Sequence, residues 1–94
     1  MFTTKQDTDR HVRAAFAKLR SENERNLRGY AIAKLYFKIG EFSSAQHYVS
    51  TYISVKRDNA SAYRLLGKCC MNLKKVDSAL EAYQKSLQLD RNQP

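Results

Sequence analysis

The sequence predicts an all-α fold of antiparallel helix pairs preceded by one extra helix. Three observations lead there. Apolar residues recur three and four apart, the chain matches itself at a shift of 34 residues, and turn formers are scarce, with 3 Gly and a single Pro at the last position. Helices joined by short turns need few such residues, whereas a many-turned β fold needs many. With 94 residues the chain makes one domain at most, or a piece of a larger one.

Residues 1–25 fall outside the repeat register and are expected to hold a leading helix and a connection. Thr3 with Gln6 has the spacing of a capping box, and Val12, Ala15, Phe16 and Leu19 share one helical face. That helix should cover the otherwise exposed face of the first helical hairpin. The polar run RSENERN, from Arg20 to Asn26, reads as the connection.

Two units follow, 26–59 and 60–94. In the first, Ile32, Leu35, Tyr36 and Ile39 mark one helix, and Ala45, Tyr48, Val49, Tyr52 and Ile53 mark the next. The short break around Gly40 suits an antiparallel hairpin. Asn59 is placed to cap the following helix, so the sequon Asn59-Ala60-Ser61 is read as a cap and not as a glycan site. In the second unit Leu66 stands opposite Ile32, Leu73 opposite Ile39, Val76 opposite Phe42 and Leu87 opposite Ile53. The second break is expected at Lys74-Lys75-Val76. Small residues pair as Ala33 with Gly67 and Ala45 with Ala79, where larger side chains would push two helix axes apart. Tyr36, Phe42, Tyr48, Tyr52, Tyr63 and Tyr83 fall at core-facing positions. Leu80, Tyr83, Leu87 and Leu89 belong to the last helix with nothing to cover their far side, so self-association or docking of further chain is expected there.

A 34-residue period with this pattern is the tetratricopeptide signature, and the chain resembles that family from about Asn26 to Gln93. The family's usual positions are filled by Ile32, Ala33, Tyr36, Ala45, Val49 and Tyr52. In the next unit they are filled by Tyr63, Leu66, Gly67, Cys70, Ala79, Tyr83 and Ser86. Gly29 departs from a large aromatic and Arg91 from a proline. The resemblance implies a right-handed α-solenoid. Within the family, the stretches AKLYFKIGEFSSAQHYVSTYISV, AYRLLG and AYQKSLQLD are similar to the N-terminal end of a nuclear-pore component. This implies a non-catalytic scaffold segment of a longer solenoid at the pore's cytoplasmic face, serving nucleocytoplasmic transport, with nucleoporins or transport factors as partners.

In that family the first helices of successive pairs line a concave groove. By register the resemblance assigns to it Leu27, Tyr30, Lys34 and Phe37, then Ser61, Arg64, Lys68 and Met71. The candidate partner-binding set is Tyr30, Lys34, Phe37, Arg64, Lys68 and Met71. Three cations beside two aromatics and a methionine suit an acidic or extended peptide, held by charge and by stacking on Tyr30 and Phe37. A solvated basic face without a ligand is the competing reading. The carboxylate clamp of chaperone-binding members is absent, because its positions hold Tyr30, Lys34 and Leu65 in place of a full Lys and Asn set.

The remaining chemistry is sparse. No catalytic, cofactor-binding or metal-binding residue is expected. His11 and His47 lie on different elements, and the adjacent Cys69 and Cys70 point about 100° apart on a helix and cannot easily bridge. No run reaches the roughly 18 apolar residues of a membrane span, and the start is charged, which points to a reduced cytosolic or nuclear setting. The net charge is +8, from 17 Lys and Arg against 9 Asp and Glu, spread as +2, +3 and +3 over 1–25, 26–59 and 60–94. Such a surface favours anionic partners without naming them. The alternative function is therefore a basic RNA-binding surface assisting mRNA export or handling at the pore, although no RNA-binding motif is present.

Overall fold

The computed structural model describes residues 4–91. Among them are six helices and no strand: α1 Lys5–Ala17, α2 Glu22–Leu27, α3 Gly29–Lys38, α4 Phe42–Val55, α5 Ala60–Asn72 and α6 Val76–Arg91. The helices α3 and α4 form one hairpin and α5 and α6 the next, with α4 packed on α5 between them.

The leading helix α1 is capped by Thr4, whose hydroxyl accepts from the Asp7 N–H at 3.1 Å. Thr3, the cap expected from the sequence, lies outside the described residues. Thr8 and Val12 are buried, and Phe16 packs 6.0 Å from Tyr48, so α1 does cover the first hairpin. A polar tether reinforces it. The Tyr36 hydroxyl of α3 donates to the Asp9 carboxylate, which also accepts from Lys5 Nζ at 3.0 Å. These hydrogen bonds, Tyr36 first and then Lys5, hold the Asp9 carboxyl below its ordinary value, while burial and then the Asp9 bond push the Tyr36 hydroxyl up. The Asp9 contribution is thus present above the ordinary carboxylate pKa and is lost as pH falls through the lowered folded value. The Tyr36 contribution is present below the ordinary tyrosine pKa and is lost only as pH rises through the raised folded value.

The segment Arg20 to Asn26, expected to be a plain connection, is mostly helical. Ser21 caps α2 by accepting from the Glu24 N–H at 3.1 Å, and Glu24 Oε2 accepts from the Arg20 N–H at 3.1 Å. This is an S-x-x-E pattern inside the polar stretch, with Ser21 satisfying one N–H of the first turn and Glu24 reaching back to the residue before the cap. Only Arg28 separates α2 from α3.

The two hairpin turns are built alike. After α3, Gly40 has φ +81° and its N–H donates to Phe37 O at 3.0 Å, while the Glu41 N–H donates to Tyr36 O at 2.9 Å. After α5, Lys74 has φ +65°, with its N–H on Met71 O at 3.1 Å and the Lys75 N–H on Cys70 O at 2.8 Å. Both are Schellman motifs, 34 residues apart, so the repeat extends to backbone geometry that the side chains do not share. The second break spans 73–75, one residue earlier than expected, because Val76 is already helical. The left-handed backbone suits Gly40 but strains Lys74, which is exposed and needs no side-chain contact there. Lys74→Gly is expected to stabilise the chain by roughly 0.5–1 kcal/mol, read as a higher urea midpoint. A midpoint that stays put or falls would mean the turn carries no such strain.

Ala33, Ala45 and Ala79 are completely buried, as the register of small residues requires, and so is Val49. One cluster runs from Val12 through Ile32, Tyr36, Val49 and Tyr52 to Leu65 and Cys69, joining α1 to the second hairpin. Asn59 caps α5 through the Ala62 N–H at 3.1 Å and donates to the Tyr52 hydroxyl at 3.0 Å, which ties α4 to α5. The buried Ser86 hydroxyl donates to Ala60 O at 2.8 Å and locks α6 onto the start of α5. Of the tyrosines and phenylalanine expected in the core, Tyr36 and Tyr52 are buried, whereas Phe42, Tyr48, Tyr63 and Tyr83 are half-buried. Leu65 sits deeper than Leu66: it belongs to the core cluster, against which Leu66 packs half-buried. On α6, Val76, Leu80 and Leu87 are 53 %, 54 % and 59 % exposed, while Tyr83 and Leu89 are half-buried, so an apolar stripe stays open to solvent.

Candidate partner-binding groove

The helices α3 and α5 lie next to one another and open a shallow groove of about 220 Å³. Tyr30 and Lys34 reach it from α3, and Ser61, Arg64, Leu65 and Lys68 from α5. Spacing explains the set: residues four apart lie one above the other on a helix, which aligns Tyr30 with Lys34 and Arg64 with Lys68. Of the candidate residues, Tyr30, Lys34, Arg64 and Lys68 meet in this groove. Phe37 and Met71 are not part of its lining. Phe37 packs edge-on against Phe42 at 5.3 Å, and Met71 is exposed one turn further along α5.

The side chains are already engaged to different degrees. The Tyr30 ring packs 5.5 Å from Tyr52, and Lys34 Nζ sits 4.5 Å over the Tyr30 ring. A ligand that stacks on Tyr30 would therefore meet the Lys34 ammonium at the ring. The Arg64 guanidinium donates to Asp90 Oδ2 at 2.9 Å, a contact from α6 that the sequence alone could not place. The pair is about half exposed and is worth little to stability, but it neutralises one of the three cations. Lys68 has no ion-pair partner among the described residues. The groove lining contains no carboxylate, so its field remains positive. Leu65, which the sequence places at a clamp position but not in the candidate set, is part of the lining.

The thiols lie away from this groove's chemistry. Cys69 and Cys70 are free and buried, and burial pushes the Cys69 thiol up to about 11 and raises that of Cys70. Both are held as neutral thiols, which disfavours nucleophilic or metal-ligating use.

Consecutive helical hairpins sharing one core, with matching turns 34 residues apart, define an all-α helical-repeat solenoid. A family model described as tetratricopeptide repeat matches residues 30–94, and the chain belongs to that family. It is similar to the E3 SUMO-protein ligase RanBP2 of Drosophila melanogaster, 38 % identical over 95 residues, covering 99 % of this chain and 4 % of that protein. The Homo sapiens RanBP2 is 30 % identical over 93 residues, covering 99 % of this chain and 3 % of that protein. The RANBP2-like and GRIP domain-containing protein 8 of Homo sapiens is likewise 30 % identical over 93 residues, with 99 % and 5 % covered. The chain thus spans only a small fraction of the length of these relatives. Tetratricopeptide domains generally mediate protein–protein contacts, and this chain is a protein-interaction module.

Proposed function

We propose that the chain is a non-catalytic scaffold segment, two repeats at 26–59 and 60–94 behind a leading helix, that recruits an acidic peptide segment of another protein. The observation that carries this reading is the convergence of Lys34, Arg64 and Lys68 from two helices on one carboxylate-free groove. The relatives named RanBP2, together with the resemblance of the framework to a nuclear-pore component, support a place at the pore's cytoplasmic face in nucleocytoplasmic transport. Nucleoporins or transport factors are the partners that setting offers. No helix among the described residues is long and apolar enough to cross a membrane.

The test uses a fluorescent glutamate-rich 12-residue peptide. Arg64 is left in place because its reversal would also repel Asp90. Lys34→Glu with Lys68→Glu is expected to weaken binding at least about tenfold, which is 1.4 kcal/mol, at unchanged helicity. Lys56→Glu with Lys85→Glu alters the net charge equally on other surfaces and is expected to weaken it less than about twofold. Equal losses from both pairs, with steep salt dependence, would favour diffuse phosphate-type binding such as RNA. No loss from either pair would remove the groove from the function.

A further inference from the structure

A second cleft lies on a different face of α3, between it and α1, with a volume of about 430 Å³. From α1 and its C-cap the face is His11, Ala14, Ala15 and Lys18; from α3 and its N-cap it is Arg28, Ala31, Ile32 and Leu35. Each set follows the i, i+3, i+4, i+7 spacing of a single helical stripe, so two helix faces are aimed into one space. The core does not need this arrangement. Of these residues only Ile32 is buried, while Ala14 and Ala31 are exposed and Ala15 and Leu35 half-buried. Small side chains on both walls leave room for a third helix to approach at ordinary packing distance, roughly 8–10 Å between axes.

The charges are one-sided. Lys18 follows the end of α1 and Arg28 precedes the start of α3, and neither has an ion-pair partner among the described residues. An adjoining depression shares Leu19 and Arg28 with the cleft and adds Leu27, which is 44 % exposed. Its one acid, Glu24, already accepts from the Arg20 N–H. The cleft is thus apolar along its length and cationic at one end. A second copy of the chain is a poor occupant, because each copy carries a net charge of +8 and would bring cations to cations.

We propose that this cleft docks an acidic amphipathic helix of a partner protein, with aliphatic residues entering between Ala14 and Ala31 and carboxylates meeting Lys18 and Arg28. Recognition of this kind reads i, i+3, i+4 and i+7 anchors of the incoming helix, the spacing already displayed by both walls. The site is independent of the groove between α3 and α5 and involves none of its cations.

The probe is a synthetic 14-residue helical peptide with leucines on one stripe and glutamates elsewhere, titrated into the 94-residue chain. Backbone amide shifts are expected at 11–19 and at Arg28, Ala31 and Leu35, with those at 11–19 as the diagnostic set and saturation below about 1 mM. Ala14→Gln with Ala31→Gln fills the cleft at exposed positions and is expected to weaken binding about tenfold, as is Lys18→Glu with Arg28→Glu. Lys34→Glu with Lys68→Glu should leave the saturation of the shifts at 11–19 unchanged, whatever it does to the groove, which separates the two sites. Several outcomes would overturn the proposal. These are shifts confined to the groove between α3 and α5, an equal affinity for a lysine-substituted peptide, displacement by oligouridylate, or no saturable binding at all.

Discussion

Gly29→Ala is expected to destabilise the chain by about 2–3 kcal/mol, although alanine is the better helix former. A Cβ at position 29 would lie 2.3 Å from Tyr48 O, 3.0 Å from Thr51 Oγ1 and 3.2 Å from Tyr52 Cβ. The nearest of these is a backbone carbonyl inside α4, and it also accepts from the Thr51 hydroxyl at 2.8 Å. It cannot swing aside as a side chain can, so α3 and α4 would have to separate. Because Gly29 is the first residue of α3, the propensity gain from alanine is small there and cannot offset the clash. Gly67 makes the useful comparison. The nearest atoms to its added Cβ would be those of the Tyr83 ring, from 2.8 Å, and that half-buried ring can turn outward. Urea unfolding should therefore show a clearly larger loss for Gly29→Ala than for Gly67→Ala. A gain in stability from Gly29→Ala would mean that the two helices are not so close.

Ala45→Leu is expected to cost about 2–3 kcal/mol and Ala79→Leu about 1–2 kcal/mol, both by overpacking a helix crossing. Each alanine is completely buried, and each occupies the same place in its hairpin by the 34-residue register. The difference follows from their surroundings. Ala45 belongs to the cluster shared by α1, α3, α4 and α5, where displacement disturbs several elements at once. Ala79 lies on α6, whose outer side carries exposed Val76, Leu80 and Leu87, so α6 has room to shift. For a domain of this size 1 kcal/mol corresponds to roughly 4–8 °C, so thermal unfolding should resolve the two variants from each other and from the parent chain. If both melted like the parent, the alignment of the two hairpins would be wrong.

The hairpins were legible because their determinants are local and periodic. Apolar spacing, the small residues Ala33, Gly67, Ala45 and Ala79, and the cap at Asn59 each state a requirement that a helix or a crossing must satisfy. The helix α2 is also written in the sequence, since Ser21 and Glu24 display the S-x-x-E pattern, but a run this polar and short reads as a connection. Gly29 looked like a missing aromatic, whereas its role is the close approach of α3 to Tyr48 O. The left-handed turn at Lys74 was hidden because a lysine does not advertise positive φ as Gly40 does.

The candidate groove was legible only as a list of positions. Register places Tyr30, Lys34, Arg64 and Lys68 on corresponding faces, and sequence alone carries that far, since every turn of a helix repeats its directions. Whether those side chains are available is decided between elements that are distant in the chain. Asp90 reaches Arg64 across 26 residues, Tyr52 packs on Tyr30, and Phe42 draws Phe37 away from the groove. The cleft between α1 and α3 belongs to the same category: its two stripes are separate helical faces in the sequence, and only the return of the chain through α2 sets them opposite one another. Periodicity determined the helices and their pairing because it is written in nearest turns. Long-range packing decided which charges and apolar faces remain free, because that depends on where each helix finally lies.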